Sequence, residues 1–118
     1  APVVFELDLD TLLERPVPVA SPLPRQQSVL RDLALVVGEH VSHDALIAAL
    51  HDDTSGLVWS ARLFDLYKPN DASGGERSMA VRLELRDDDM TLTDERIEAV
   101  LAKAVGRAKT RLGARLRA

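Results

Sequence analysis

Few residues in this chain could make or break a covalent bond. Cysteine is absent, which removes disulfides, thiolate nucleophiles and thiolate metal sites. His40 and His43 stand at a spacing that metals use, but no further ligand lies near them in the sequence, and a closed zinc site needs four. Asp87, Asp88 and Asp89 could suggest a cation site, although a turn between a strand and a helix is a sufficient reason for such a run. The chain has no P-loop, no GxGxxG and no Ser/His/Asp arrangement that spacing would support. What remains is the chemistry of recognition. Tyr67 could stack against a ligand or simply sit half-buried at a strand end. Phe64 could offer a second ring or, as Phe more often does, fill the core. From Lys103 onward there is no acid, while Lys103, Arg107, Lys109, Arg111, Arg115 and Arg117 accumulate. The formal net charge of −4 argues by itself against nucleic acid, yet phosphate responds to the local cationic surface and not to the sum over a chain. The plain alternative for that run is a solvated helix face with a frayed tail.

These side chains are positioned by elements organised around residues 63–97. Met79, Val81, Leu83 and Leu85 alternate with Ser78, Ala80, Arg82, Glu84 and Arg86, so one face of this strand is apolar and the other small, polar and charged. Val29 to Val37 reads as a second buried strand, with Leu33, Leu35 and Val37 on the larger apolar side and Asp32, Ala34 and Val36 opposite. Ser42 is a good N-cap, and Val41 before it can staple to Leu46; Leu46, Ile47 and Leu50 form the inward stripe of the helix that follows. Leu57 to Tyr67 is a strand of uncertain phase. Simple alternation turns Trp59, Ala61 and Leu63 inward and would bury Asp65, paired with Arg31, Arg62 or backbone amides, together with Tyr67. A bulge near Phe64–Asp65 would swap the phase and turn Tyr67 outward, and we expect the bulge. A loop rich in Asn, Asp, Ser and Gly makes the next connection a hairpin. Thr93 can cap a long helix whose Ile97, Val100, Leu101, Ala104, Val105, Ala108 and Leu112 share one side. Gly113 ends it, and a short strand fits in residues 114–117.

At 118 residues with 46% hydrophobic content the chain suffices for one domain with a real core. With 3% aromatic residues that core must be aliphatic. No run approaches the roughly 18 apolar residues of a membrane span, no basic-then-apolar leader opens the chain, and cysteine-free composition suits a reducing cytoplasm. Residues 1–25 read as an N-terminal strand over Val3–Leu9, a helical turn through Leu12 and Leu13, and a linker punctuated by Pro16, Pro18, Pro22 and Pro24. A start at Ala1 in a strand-like segment is expected of a piece of something longer. The order in residues 26–118 is β-α-β-β-α-β, the α+β ferredoxin-like sandwich: a four-stranded antiparallel sheet with two helices on one face. Its other face is open, the surface that RNA-recognition sheets use.

RDLALVV (31–37), LFDLY (63–67), RSMAVRLEL (77–85), TLTDERI (91–97) and GARLR (113–117) follow in the order seen at the C-terminus of the phenylalanyl-tRNA synthetase beta subunit. The chain resembles that enzyme's ferredoxin-fold anticodon-binding domain over nearly its whole length. FELDLDTLL (5–13) resembles the segment joining it to the preceding catalytic-like domain of bacterial beta chains. Three positions depart from the family pattern: Gln26-Gln27 replaces an aromatic-proline pair, and Arg77 a lysine. The resemblance implies a non-enzymatic module that binds the anticodon loop of tRNA(Phe) on its open sheet. The residues implied are Ala34, which lets a base approach the backbone, Tyr67 as a stacking platform, Ser78 for a base edge, and Arg115 or Arg117 for base or phosphate. No catalytic, cofactor or metal residue is implied in this piece. ATP and Mg²⁺ would belong to aminoacylation by the alpha subunit of a cytoplasmic α2β2 enzyme. The alternative is an amino-acid-sensing regulatory domain of the same strand order, turning around a ligand at Gly38. A further alternative is a purely structural docking role.

Overall fold

The computed structural model describes residues 1–52, 54–68 and 74–117. In β1 (Val29–Gly38), Leu33, Leu35 and Val37 are buried while Ala34 and Val36 point the other way. In β3 (Glu76–Leu85), Met79, Val81, Leu83 and Leu85 do the same. The two strands pair antiparallel with Leu33 opposite Val81 and Leu35 opposite Met79, which aligns their apolar rows. A one-residue slip would put both rows into water, so the pattern itself pins the register. β2 (Val58–Tyr67) pairs along the far side of β3, and β4 (Arg115–Leu116) along the far side of β1. The resulting order, β2-β3-β1-β4 with every pair antiparallel, is that of the ferredoxin-like α+β fold.

Two helices cover one face of this sheet. α2 (His43–His51) is capped by Ser42, whose Oγ accepts from the Ala45 N–H, and Val41 and Leu46 are both buried where the staple expects them. α3 (Asp94–Leu112) is capped by Thr93, and carboxylates in its first turn meet the positive end of the helix dipole. It ends at Gly113 in the left-handed conformation at φ 66°, which a residue with a Cβ adopts only at a cost. Leu46 and Leu50 from α2, and Ile97, Val100, Ala104 and Ala108 from α3, close over the sheet's leucines and valines. The core is wholly aliphatic apart from Met79.

Two expectations fail. No strand forms over Val3–Leu9: residues 1–8 lack regular structure, and the described chain offers them no ladder partner. Asp8 instead accepts from the Asp10 N–H and caps the single-turn α1 (Leu9–Leu13), the helical turn that the sequence suggests. Residues 1–25 are exposed throughout. In β2, the bulge expected at Phe64–Asp65 is present as a register shift between Leu63 and Asp65, but a second shift lies between Val58 and Ser60. Val58 therefore takes the inward position, and Trp59, expected inward, is left exposed. β2 and β3 form the expected antiparallel hairpin, while loop positions 69–73 lie outside the described residues.

Candidate nucleic-acid interface

The face without helices has a floor of small side chains in its middle. Ala34 lies opposite Ala80, and Val36 opposite Ser78, on the two central strands. Ser78 is only 7% exposed. From the β2 edge comes Tyr67, paired in register with Ser78 and half exposed at 50%. From the opposite edge comes Arg117, whose N–H donates to the Ala34 carbonyl at 2.7 Å. The Arg117 guanidinium carbon lies 5.4 Å from the centre of the Tyr67 ring, so the two side chains span both central strands. Larger residues at Ala34, Ala80 or Ser78 would stand between them. Arg115 extends over the same face but turns to Glu76, donating at 2.8 Å. Ala34, Tyr67, Ser78 and Arg117 are thus brought together, with Arg115 beside them in an ion pair.

The rest of the open face has a structure that pattern reading missed. Arg82 donates to both oxygens of Asp32, from Nε at 2.8 Å and Nη2 at 2.9 Å. This two-pronged bond holds the Asp32 carboxyl below its ordinary range and raises the Arg82 guanidinium, so both stay charged at neutral pH. The same guanidinium sits 5.1 Å from the Phe64 ring. Phe64, for which the core was the commoner expectation, is 51% exposed because it is the extra residue of its bulge. At the far end of β2, the Arg86 guanidinium lies 3.4 Å from the centre of the Trp59 ring. The signal available in the sequence was the odd spacing of aromatics at 59, 64 and 67, which no single strand phase can put on one side. Asp65 is turned outward and exposed, and makes no ion pair among the described residues. Arg62, Arg82, Arg115 and Arg117 intermix on this face with Asp32, Glu76 and Glu84, giving a surface of mixed sign.

Most of the basic run has other work. Arg107 donates from Nε to the Ala49 carbonyl and from Nη2 to that of Leu50, closing the C-terminal end of α2. Arg111 pairs with Asp52 at 2.5 Å. Lys103 and Lys109 are exposed on the helical layer, so the solvated-face alternative describes these two lysines. Only Arg115 and Arg117 belong to the open sheet. Arg77 donates to the Val41 carbonyl and steadies the turn after β1. At Gly38 the His40 ring occupies the space a Cβ would take, 2.6 Å from Cε1. Asp87 accepts from the backbone N–H groups of Asp89 and Met90 and pairs with Arg96. Chiefly through the Asp89 N–H, these bonds hold its carboxyl below the usual range. His43 faces Asp44 at 2.8 Å, and among the described residues no three His, Cys, Asp or Glu side chains cluster as a metal site would need.

Comparison with known families places this geometry in a class. The family model described as the ferredoxin-fold anticodon binding domain matches residues 24–117, and the chain belongs to that family. Its curated relatives point to one protein. Phenylalanine–tRNA ligase beta subunits from Neisseria meningitidis serogroup B, Ralstonia nicotianae and Nitrosospira multiformis are 40%, 38% and 35% identical to it. These matches cover 99%, 100% and 98% of this chain and 15%, 16% and 14% of the respective relatives. The chain thus spans about one-seventh of the length of the beta subunits it matches. Among the described residues no helix is long and apolar enough to cross a membrane.

Proposed function

We propose that this chain reads the anticodon loop of tRNA(Phe) on its helix-free sheet face, as one domain of a phenylalanine–tRNA ligase beta subunit. The observation that carries the reading is the meeting of Arg117 and Tyr67 over a floor of Ala34, Ala80 and Ser78. A ring and a guanidinium closing over small side chains leave room for a flat, unpaired base. Arg117 swings aside, the base stacks on Tyr67, and the freed guanidinium meets a base edge or phosphate. Ala34 admits the base close to the backbone, Ser78 offers a hydroxyl from the floor, and Arg115, released from Glu76, adds a second cation. Binding is positional, so no proton transfer or covalent step is assigned to this chain.

In this reading residues 1–25 end the preceding domain and residues 26–118 form the anticodon-binding unit. The parent protein joins an alpha subunit in an α2β2 ligase that attaches phenylalanine to tRNA(Phe) with ATP and Mg²⁺. The reading assigns no residue of this chain to either cofactor.

The test is fluorescence anisotropy with a tRNA(Phe) anticodon stem-loop across a salt series. The logarithm of the affinity should fall linearly with log salt, and Tyr67→Ala should weaken binding roughly 5- to 100-fold, the value of one base–aromatic stack. Arg117→Ala should lower the salt slope by about one unit. Stem-loop affinity undiminished in the double variant Tyr67→Ala/Arg117→Ala would discard this site.

A further inference from the structure

The chain has four aromatic residues, and none of them is in its core. Phe5 lies in the exposed N-terminal segment, and the other three, Trp59, Phe64 and Tyr67, all stand on β2. They are 55%, 51% and 50% exposed, and each carries an arginine guanidinium near its ring, at 3.4, 5.1 and 5.4 Å from the ring centre. Burying large apolar rings is among the strongest stabilising moves open to a fold, and here it is not taken. Trp59 and Phe64 are the extra residues of the two bulges. Each bulge interrupts the ladder and leaves its aromatic residue without a partner on β3: Trp59 falls between the Val58–Leu85 and Ser60–Glu84 pairs, and Phe64 between the Leu63–Val81 and Asp65–Ala80 pairs. Two departures from regular pairing thus keep two rings out of the core.

Aromatic rings attended by guanidinium groups are surfaces on which nucleobases stack with little regard to sequence, while the arginines reach phosphates. Tyr67 is three residues from Phe64 and eight from Trp59. Counted along β3, where Phe64 falls between the partners Ala80 and Val81 and Trp59 between Glu84 and Leu85, the row extends roughly 8 Å and then roughly 21 Å from Tyr67 at about 3.3 Å per residue. That is longer than one base and suits a run of consecutive nucleotides. Asp32, through its two bonds to Arg82, fixes that guanidinium beside the Phe64 ring, which sets the middle step in place before any ligand arrives.

From this arrangement we infer that β2 is a stacking track for single-stranded RNA, running from Tyr67 past Phe64 to Trp59 and holding the nucleotides that flank those at Tyr67. The inference rests on the anticodon reading above and extends it from one platform to three.

Trp59 is the only tryptophan in the chain, so its emission reports on the far end of the track. Titration of the 118-residue chain with the tRNA(Phe) anticodon stem-loop should quench Trp59 with the same midpoint as anisotropy and shield it from acrylamide. A linear oligonucleotide of the three anticodon bases alone, reaching only Tyr67, should leave Trp59 unquenched. By anisotropy, Phe64→Leu and Trp59→Leu should each weaken the stem-loop about 5-fold or more, with circular dichroism unchanged, and Trp59→Phe should restore most of the loss. Trp59 emission and acrylamide access unaltered at saturating stem-loop, with Tyr67→Ala still harmful, would overturn the track and leave the Tyr67 site standing. Absence of stem-loop binding even at low salt would remove the anticodon reading and the track together.

Discussion

Replacing Arg107 by alanine separates the structural from the functional part of the basic run. Its guanidinium makes two hydrogen bonds, of 2.9 and 3.0 Å, to the last-turn carbonyls of α2 at Ala49 and Leu50. Last-turn carbonyls lack a full set of partners within their own helix, and among the described residues Arg107 is what bonds these two. A hydrogen bond from a charged donor contributes about 1.5–3 kcal/mol, and a cation at a helix C-terminus about 0.3–1 kcal/mol. The two bonds share one side chain and the site is half-buried, so they do not simply add. Arg107→Ala should cost roughly 2–3 kcal/mol, a large part of the roughly 5–15 kcal/mol that holds a domain of this size. With a urea slope of about 1–3 kcal/mol/M the unfolding midpoint should fall by roughly 0.7–3 M. Arg107→Lys, which keeps the charge but reaches one carbonyl at a time, should lose about half as much. Lys103→Ala, on the exposed side of the same helix, should change stability by less than about 0.5 kcal/mol. Stem-loop affinity of folded Arg107→Ala should match the parent chain. A midpoint unmoved by Arg107→Ala, or a specific loss of RNA affinity without loss of stability, would refute the assignment of this arginine to α2.

Leu35 is fully buried between the helices and the middle of β1, so Leu35→Ala should destabilise by about 2–5 kcal/mol in chemical denaturation, the range for an aliphatic core cavity. Gly113→Ala forces a Cβ onto a residue at φ 66° and should cost about 1 kcal/mol although nothing crowds the site, visible as a lower Tm. Asp87 titrates below its ordinary 3.8 in the folded state, so its contribution is present above that value and lost as pH falls through the lowered one. Asp87→Asn should therefore lower Tm at pH 7 and narrow its gap from the parent chain as the buffer is taken below about pH 4. An equal gap at pH 7 and pH 3 would contradict the ion pair and backbone bonds drawn to that carboxyl.

Features that depend on neighbours a few residues away are legible without coordinates. Ser42 and Thr93 announce their helices because the caps bond only three residues ahead, and Gly113 announces the end of α3 by the conformation it alone adopts cheaply. Regular alternation in β1 and β3 gave their inward rows, and with them the open face on which Ala34 and Ser78 lie. Tertiary structure decided whatever needs a partner far along the chain. The Val3–Leu9 alternation is as regular as a strand's, yet no strand forms, because alternation makes a strand only where a ladder partner pairs with it and residues 1–8 pair with no strand of the described chain. The phase of β2 was half legible. One bulge follows from the conflict between Leu63 and Tyr67, but the second is fixed only when Val58 settles opposite Leu85 and leaves Trp59 outside. The basic run likewise reads as one feature in sequence and divides in space. Arg107 and Arg111 close α2, while Arg117 crosses two strands to reach Tyr67, because charge is a property of a residue and its use is set by what the fold brings within a few ångströms.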